Sequence, residues 1–510
     1  VAALLSLSLT SMLLEIVGGL LVLGYLYYRY LIYNYTFWEE RNIVGPKPEV
    51  FYGNAKVISS GEMAIGQLLK VFYEKYKKER MVGIYMGRQP ALVLHDPELI
   101  KTVLIRDFSK FGDRGIRVNE KVSPFSANLF TLDRDKWRPL RAKLTPIFTT
   151  GKLKEMCAMT VECADLLMDY IELLASKNEP IDVRETAARF TTDVIGCCAF
   201  GIDTKSMAVE ENEFRRMGKR MFDPNSVRMM KRRIEQVSLP LALFLDYFFK
   251  DYKIYEFFTN LTMSTMEHRK KSKIPRNDFI DILIELEAQG TIGNLKMTKE
   301  LLVAQAISFF AAGFETTSAT ITHGLYELAL NQDVQDKLRA EINEHFERNH
   351  GDLLYENIKE LKYLDKVFKE IVRKFPSGTN LVRHALTNYT FEGTNFEIPA
   401  KTLVFVPTYA FHYDPDIYPD PMKFDPERFD EKLEQARHSM HYLPFGDGPR
   451  NCIGARFAIY QTKVAFTKII RNFKVDVCDK TMIPYEMNPK ALVLTPKREI
   501  YLTFTKVDTN

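Results

Sequence analysis

The six cysteines of this 510-residue chain, at positions 157, 163, 197, 198, 452 and 478, form no CxxC pair, no CxxCH and no His/Cys cluster of zinc spacing. Neither a disulfide framework nor a zinc module organises the chain, and unpatterned thiols suit a reducing compartment. A fixed-period repeat, a low-complexity tract and a long linker inside the body are also missing, which removes solenoids and strings of small domains. There is no glycine-rich dinucleotide fingerprint, so the chain brings no nicotinamide or flavin domain of its own. Charge of one sign is lacking too. With 70 basic against 66 acidic residues, a formal +4, nothing argues for nucleic acid, and any basic patch must be local.

What is present is an ordinary globular balance, 46% hydrophobic and 27% charged, which excludes a disordered chain. This length calls for a large domain, or a large and a small one packed together. Before Arg29 the only charge is Glu15, and residues 11–32 supply the roughly 20 mostly apolar residues that a bilayer-crossing helix needs. A cleaved signal peptide is the competing reading, but no clear cleavage site follows. Arg29, Arg41, Lys47 and Lys56 flank the segment on its C-terminal side alone, a bias that leaves the body in the cytosol. We therefore divide the chain into an anchor at 1–33, a proline- and glycine-punctuated link at 34–54 ("NIVGPKPEVFYGN") and a body at 55–510. The sequons at Asn34, Asn260 and Asn388 are expected to be bare in that topology.

The body reads as mainly α with a minor β part. "MVGIYMG" and "PALVLHD" form a short hairpin, helical periodicity dominates up to Asn349, and strand-like pieces return at "LVRHALTNYTFEG", "TLVFVPTYA" and "REIYLTFTKV". The spacing predicts a proline-free helix from a Thr298 cap to about Leu330, roughly 50 Å long. Its middle, "FFAAGFETTSAT", sets Gly313, Glu315, Thr316, Thr317 and Ser318 in an apolar run without amphipathic spacing. Ala312 stands four before Thr316, where the hydroxyl can bond back to a carbonyl, and a mid-helix glycine invites a close approach. "LPLALFLDYFF" (239–249) reads as core or as a membrane-dipping loop.

One cysteine stands in unusual company. "FGDGPRNCIG" (445–454) surrounds Cys452 with three glycines, Pro449 and Arg450, and a helix pattern begins straight afterwards. A lone cysteine is ordinarily a small buried hydrophobe. Free amides at a helix N-terminus, however, lower a thiol pKa and hold a thiolate, which serves as nucleophile or metal ligand. His438 and His441 make no nucleophile–base motif with it. A single soft ligand to a haem iron uses each oddity of the loop and leaves the opposite position open.

Phe445-x-x-Gly448-x-Arg450-x-Cys452-x-Gly454 matches in full the cysteine-ligand signature of the cytochrome P450 haem-thiolate monooxygenases, and the chain is identified as resembling that family. "AGFETT" (312–317) matches its oxygen-activation motif, "WRPLR" its WxxxR element, and "FDPERF" the segment whose Arg428 joins Glu370 and Arg373 in a salt-bridged scaffold. ExxR also occurs at Glu213/Arg216 and Glu434/Arg437, but only Glu370 lies 82 residues before Cys452 and is followed by "KFPSG". Two departures are "GPKP" in place of a fuller proline run and Ser377 where a second proline is common. "TTDVIGCCAFG" and its neighbours look most like insect microsomal members that oxidise foreign compounds.

The resemblance implies the cytochrome P450 fold, with its long central helix, and haem b bound through Cys452 as axial thiolate. Trp137, Arg141, Arg383, Arg450 and Arg114 would hold the propionates, with Phe445 and Gly448 shaping the loop. Thr316 and Glu315 would organise the water chain that brings protons to the reacting dioxygen, and Ala312 would leave it room. Electrons would come from NADPH-cytochrome P450 reductase, with cytochrome b5 as a second donor. Arg134, Lys136, Arg138 and Lys143 form a patch suited to an acidic partner, although such runs are usually solvated faces. The implied reaction is oxidation of a lipophilic small molecule, probed by a pocket of 114–128, Phe309, Phe310, Ala312, Thr316, 377–381 and 492–494, at the endoplasmic reticulum membrane. A peroxide isomerase or dehydratase on the same fold, or a non-catalytic lipophile carrier, are the alternatives.

Overall fold

The computed structural model describes residues 2–507 apart from 117, 119–125, 210–211, 223–233, 235–243, 246–251, 273, 275 and 395. Most of the 239–249 stretch, and part of the 114–128 loop, thus lie outside the described residues. Numbering only helices of ten residues or more, the chain runs through α1 (Ala2–Ile32), α2 (Ile65–Lys75), α3 (Arg134–Leu144), α4 (Thr150–Ala175), α5 (Val183–Ile195) and α6 (Glu213–Phe222). It continues through α7 (Tyr252–Ser272), α8 (Phe279–Gln289), α9 (Lys299–Leu330), α10 (Gln332–Arg348), α11 (Lys362–Lys374) and α12 (Ala455–Asn472).

Seven strands build two small sheets: β1 (Met81–Met86), β2 (Gln89–Leu94), β3 (Ile181–Asp182), β4 (Leu381–His384), β5 (Leu403–Val406), β6 (Phe473–Val477) and β7 (Tyr501–Lys506). The first has the order β1-β2-β5-β4, with β1 and β2 as the expected antiparallel hairpin and β2 parallel to β5 through Ala91 and Leu403. The second, β6-β7-β3, joins the C-terminal strands to the start of α5.

The helix α9 crosses the middle of the helical core. Its cap is as expected: Thr298 accepts a hydrogen bond from the Leu301 amide at 3.2 Å. Between residues 301 and 329 the side chains that are not buried are Ser308, Phe309, Ala311, Ala312, Gly313 and Thr316, all on one side of its middle. A helix apolar around its circumference can only be stable inside a domain. Gly313 has the close neighbour that its position suggests, because a Cβ there would lie 2.6 Å from Ile195 Cδ1 of α5.

From Ser11 to Ile32, α1 is long and apolar enough to cross a membrane, and up to Tyr30 none of its residues is buried by the rest of the chain. Its exit is packed. Arg88, at the tip of the β1–β2 hairpin, stacks 3.5 Å over Tyr30, and its carbonyl accepts from Asn34 Nδ2 at 3.2 Å. Trp38 is 2% exposed and donates through Nε1 to the Ile84 carbonyl at 2.9 Å. Residues 34–54 thus follow the hairpin, where Asn54 Oδ1 accepts from the Tyr85 amide at 2.8 Å.

Candidate functional site

The loop before α12 is a tight ring. Cys452 N donates to Phe445 O at 2.9 Å, and Gly448 holds φ +74° with its Cα so close to the preceding chain that a Cβ would sit 2.0 Å from Leu104 O. Only glycine serves there. Phe445 stacks on Phe368 at 6.4 Å between ring centroids. Cys452 is solvent-accessible although its loop and α12 are embedded in the protein. It faces a cleft, and Phe148 spans from that loop to the helix above, its ring beside Gly454 and stacked at 6.1 Å on Phe309 of α9.

Burial pushes the Cys452 thiol above its ordinary value, against the pull of the Gly454 amide, Arg141 and Arg114. The lowered pKa expected of a helix N-terminus is therefore reversed, because desolvation outweighs the amide and the two cations. A thiol so placed is a poor free nucleophile and ionises when a metal displaces its proton.

Four guanidiniums surround the loop. Arg141 Nη1 and Nη2 donate to Asn451 O and Oδ1, both at 3.1 Å. Arg114 donates to Phe130 O at 2.7 Å and to Arg450 O at 3.1 Å. Arg450 is buried, with its guanidinium carbon 4.5 Å above the Trp137 ring, and Arg383 is 2% exposed on β4. Trp137 thus carries Arg450. Burial lowers Arg383 to about 10, with Arg450 adding to the effect, and lowers Arg450 to about 10 against the pull of Asp113. Burial, then Arg383 and Arg450, hold Arg114 well below the usual guanidinium value.

Among the described residues the one ion pair this cluster makes is Arg450 to Asp113 at 3.8 Å, and the Nε atoms of Arg383 and Arg450 are buried without an acceptor. Such a group lacks anionic partners. An iron porphyrin meets that donor set on both counts: two carboxylates for the guanidiniums and a cation for the thiol.

The long helix supplies the other wall. Thr316 Oγ1 donates to Ala312 O at 2.6 Å, the back-bond that its spacing suggests, and Ala312 is exposed in the middle of an otherwise buried helix. Ser377 Oγ donates to Thr316 O at 3.4 Å, and Ser377 O accepts from Leu494 N at 3.3 Å, which brings Ser377 and Leu494 beside Thr316, whereas Leu492 and Val493 line the polar cleft next to Glu315. Phe310 does not belong there. It is fully buried against Phe214, Phe258 and Phe314, because one residue of helix turns it about 100° away from Phe309.

The same rotation separates Glu315 from Thr316. Glu315 is buried and pairs with Arg184 of α5 at 3.2 Å, on a polar cleft of about 170 Å³ that Asp182, Glu185 and Arg215 also line. Alcohol and acid are neighbours in sequence but look into different spaces.

Beneath the site, Arg373 donates to Glu370 through Nε at 2.6 Å and Nη2 at 2.8 Å, with both side chains fully buried. Arg428 Nε lies 3.4 Å from Glu370 Oε1. Sequence reasoning missed how this network reaches the cysteine. Arg373 Nη1 donates to His412 O at 2.7 Å, and His412 Nε2 accepts from Leu443 N at 3.4 Å. Leu443 O in turn accepts from Gly446 N at 3.1 Å, one residue beyond the acceptor of the Cys452 amide. Burial, reinforced by the Arg373 charge, lowers His412 to about 3 and keeps that acceptor neutral. No local signal marked His412, a lone histidine in "YAFHYDP".

A family model, Cytochrome P450, matches residues 44–504. Cytochrome P450 6a8 of Drosophila melanogaster is 40% identical over 512 residues, 98% of this chain and 100% of that relative. Cytochrome P450 6A1 of Musca domestica is 38% identical over 503 residues, 96% and 97% of the two chains. Cytochrome P450 6j1 of Blattella germanica is 36% identical over 501 residues, 97% and 98%. An exposed thiol amid guanidiniums, a cationic collar short of anions and similarity along nearly the whole length agree, and the chain belongs to the cytochrome P450 family of haem b monooxygenases.

Proposed function

We propose that this protein oxidises lipophilic small molecules, foreign compounds among them, at the cytosolic face of the endoplasmic reticulum, with electrons from NADPH-cytochrome P450 reductase. The observation that carries this reading is the exposed thiol of Cys452, ringed by Arg114, Arg141, Arg383 and Arg450 and opposed by the unburied stretch of α9. Cys452 would ligate the iron, and the four arginines would take the propionates, with Trp137 holding Arg450 in place. When bound, haem supplies the redox chemistry of oxygen insertion, and the thiolate donates electron density to it.

The chain's own residues do the rest. Ala312 keeps side-chain bulk away from the reacting centre. Thr316 presents a hydroxyl that can release Ala312 O and turn to hold a water. Glu315, paired with Arg184 on its polar cleft, would have to leave that pair and turn toward Thr316 to deliver a proton, a general-acid task. Phe309 and the rim around Ser377 exclude water and favour apolar ligands. Exposed Arg138 and Lys143 on α3, close in sequence to Arg141, offer cations to an acidic reductase surface.

The test is turnover of a lipophilic probe with reductase and NADPH. The wild type forms hydroxylated product. Thr316→Val is expected to keep consuming NADPH while product per NADPH falls by roughly 100-fold, the low end of the scale of one lost proton-transfer group. Product formed from organic peroxide, with none from reductase and NADPH, would instead assign the chain to peroxide rearrangement.

Orientation has its own check. Asn34 spends its amide on Arg88 O, and Asn388 donates to Glu397 and accepts from Ala400 N, whereas Asn260 is exposed on α7. A cytosolic body leaves all three bare, so glycosidase treatment is expected to leave the intact mass unchanged. Glycan at Asn260 would put the body in the lumen.

A further inference from the structure

Arg114 and Arg450 come from distant parts of the chain and meet at one oxygen. Arg114 Nη1 donates to Phe130 O at 2.7 Å, Arg450 Nη1 to the same atom at 3.4 Å, and Arg450 Nη2 to Leu132 O. The Phe130 ring also lies 4.0 Å beneath the Arg114 guanidinium. Two like charges sharing an acceptor are sensitive to where that acceptor stands.

The turn bearing these carbonyls, residues 127–132, is tied together internally. Asn128 Oδ1 accepts from the amides of Phe130 at 2.9 Å and Thr131 at 3.3 Å, and Asn128 O accepts from Thr131 N at 3.0 Å and Leu132 N at 2.9 Å. It moves as one piece, and Gln305 fixes it to α9. Gln305 Oε1 accepts from Leu129 N at 2.8 Å, while Nε2 donates to Ala127 O at 3.0 Å and to Leu301 O at 2.9 Å.

Gln305 is fully buried, a polar side chain in an apolar segment, and its own helix offers it one partner, Leu301 O, while the 127–132 turn supplies the other two. It also begins the stripe that runs through Phe309, Ala312 and Thr316 at spacings of four, three and four.

We propose that Gln305 is a positioning residue: by pinning the 127–132 turn to the long helix, it sets the carbonyls that aim Arg114 and Arg450 at the haem carboxylates. The inference rests on the haem-thiolate reading above. Ala127, Leu129 and Leu132 are buried in the main core, so their packing keeps the turn near α9 without Gln305. What Gln305 adds is the exact height of two carbonyl groups.

The test uses full-length haem-loaded protein and two readouts other than turnover: the rate at which haem passes to excess apomyoglobin, and the propionate bending bands in resonance Raman spectra. Gln305→Leu removes the bonds at similar volume, and Gln305→Met is a more adaptable second variant. Gln335→Leu is the control. Gln335 is equally buried and donates to Leu328 O at 2.9 Å and Val475 O at 2.8 Å, on α10 and away from the cluster.

Gln305→Leu or Gln305→Met is expected to lose haem about tenfold faster, the worth of one charge-assisted hydrogen bond, with shifted propionate bands. Gln335→Leu should lower thermal stability while leaving both readouts unchanged. Wild-type bands and haem-loss rates in both Gln305 variants, or equal acceleration in the Gln335 control, would overturn the proposal. Absence of a thiolate-type CO spectrum in the wild type would instead remove the reading beneath it.

Discussion

Cys452→Ala is expected to abolish the CO-bound absorption that marks thiolate ligation and to reduce NADPH-dependent product by more than about 100-fold. Partners one shell out from a metal are worth roughly 10- to 100-fold in affinity or activity, so loss of the ligand itself must exceed that. The substitution is well suited to the purpose, because Cys452 is accessible in its cleft and its truncation leaves no buried cavity. Its structural role lies in the backbone, through the amide bonded to Phe445 O at 2.9 Å, which alanine retains. Apoprotein stability should stay within about 0.5 kcal/mol of the wild type, as for a side chain making no core contact. A thiolate-type CO spectrum surviving in Cys452→Ala would remove the ligand assignment, and an apoprotein that fails to fold would mean that the sulfur has a structural part we have not seen.

Arg373→Ala is the second large effect, and it acts on the fold. Breaking a buried ion pair by removing one partner costs about 3–5 kcal/mol, because the other charge is left desolvated. Here Arg428, 3.4 Å from Glu370, and the Asp425 amide, 3.0 Å from it, remain as partners, so the lower end, about 3 kcal/mol, is expected. That is a large part of a typical domain's 5–15 kcal/mol. The loss should appear as a lower denaturant midpoint and, in parallel, as reduced haem content, since Arg373 Nη1 also holds His412 O and through His412 the approach to the cysteine loop. Glu213→Gln is the comparison. It alters the same ExxR string on α6, where Glu213 and Arg216 form an exposed pair at 3.2 Å with both side chains more than half exposed. Such pairs contribute about 0–1 kcal/mol. Equal midpoints for the two variants would contradict the assignment of the network.

That contrast shows what the amino-acid order could and could not convey. Three copies of ExxR are identical as strings, and what separates them is burial, which depends on other elements of the chain, among them the segments bearing His412, Pro421 and Arg428. Features fixed by neighbours in the chain were legible: the Thr298 cap, the β1–β2 hairpin, the Thr316 back-bond and the glycine-shaped loop at Cys452. Features set by how distant elements register were not. Glu315 was grouped with Thr316 by adjacency, although one helical residue turns it onto Arg184. The Cys452 thiol was expected to ionise readily from its place before α12, and only the surrounding mass of protein shows that desolvation prevails. Gln305, His412 and Phe148 carry no local pattern at all. Each acquires meaning from a partner in another segment: Leu129, Leu443 and Gly454 respectively.

The packing of Trp38 and Arg88 against the exit of α1 bears on how an oily solute would arrive. A flexible tether would let the body roll on the bilayer surface, so that each arriving molecule met a random aspect of it. With the indole plugged into the first hairpin and the guanidinium stacked on Tyr30, anchor and hairpin turn together. With α1 in a bilayer, as the proposed function has it, the angle between lipid plane and cleft would be built in when the chain folds, and solutes leaving the bilayer would meet the same doorway every time.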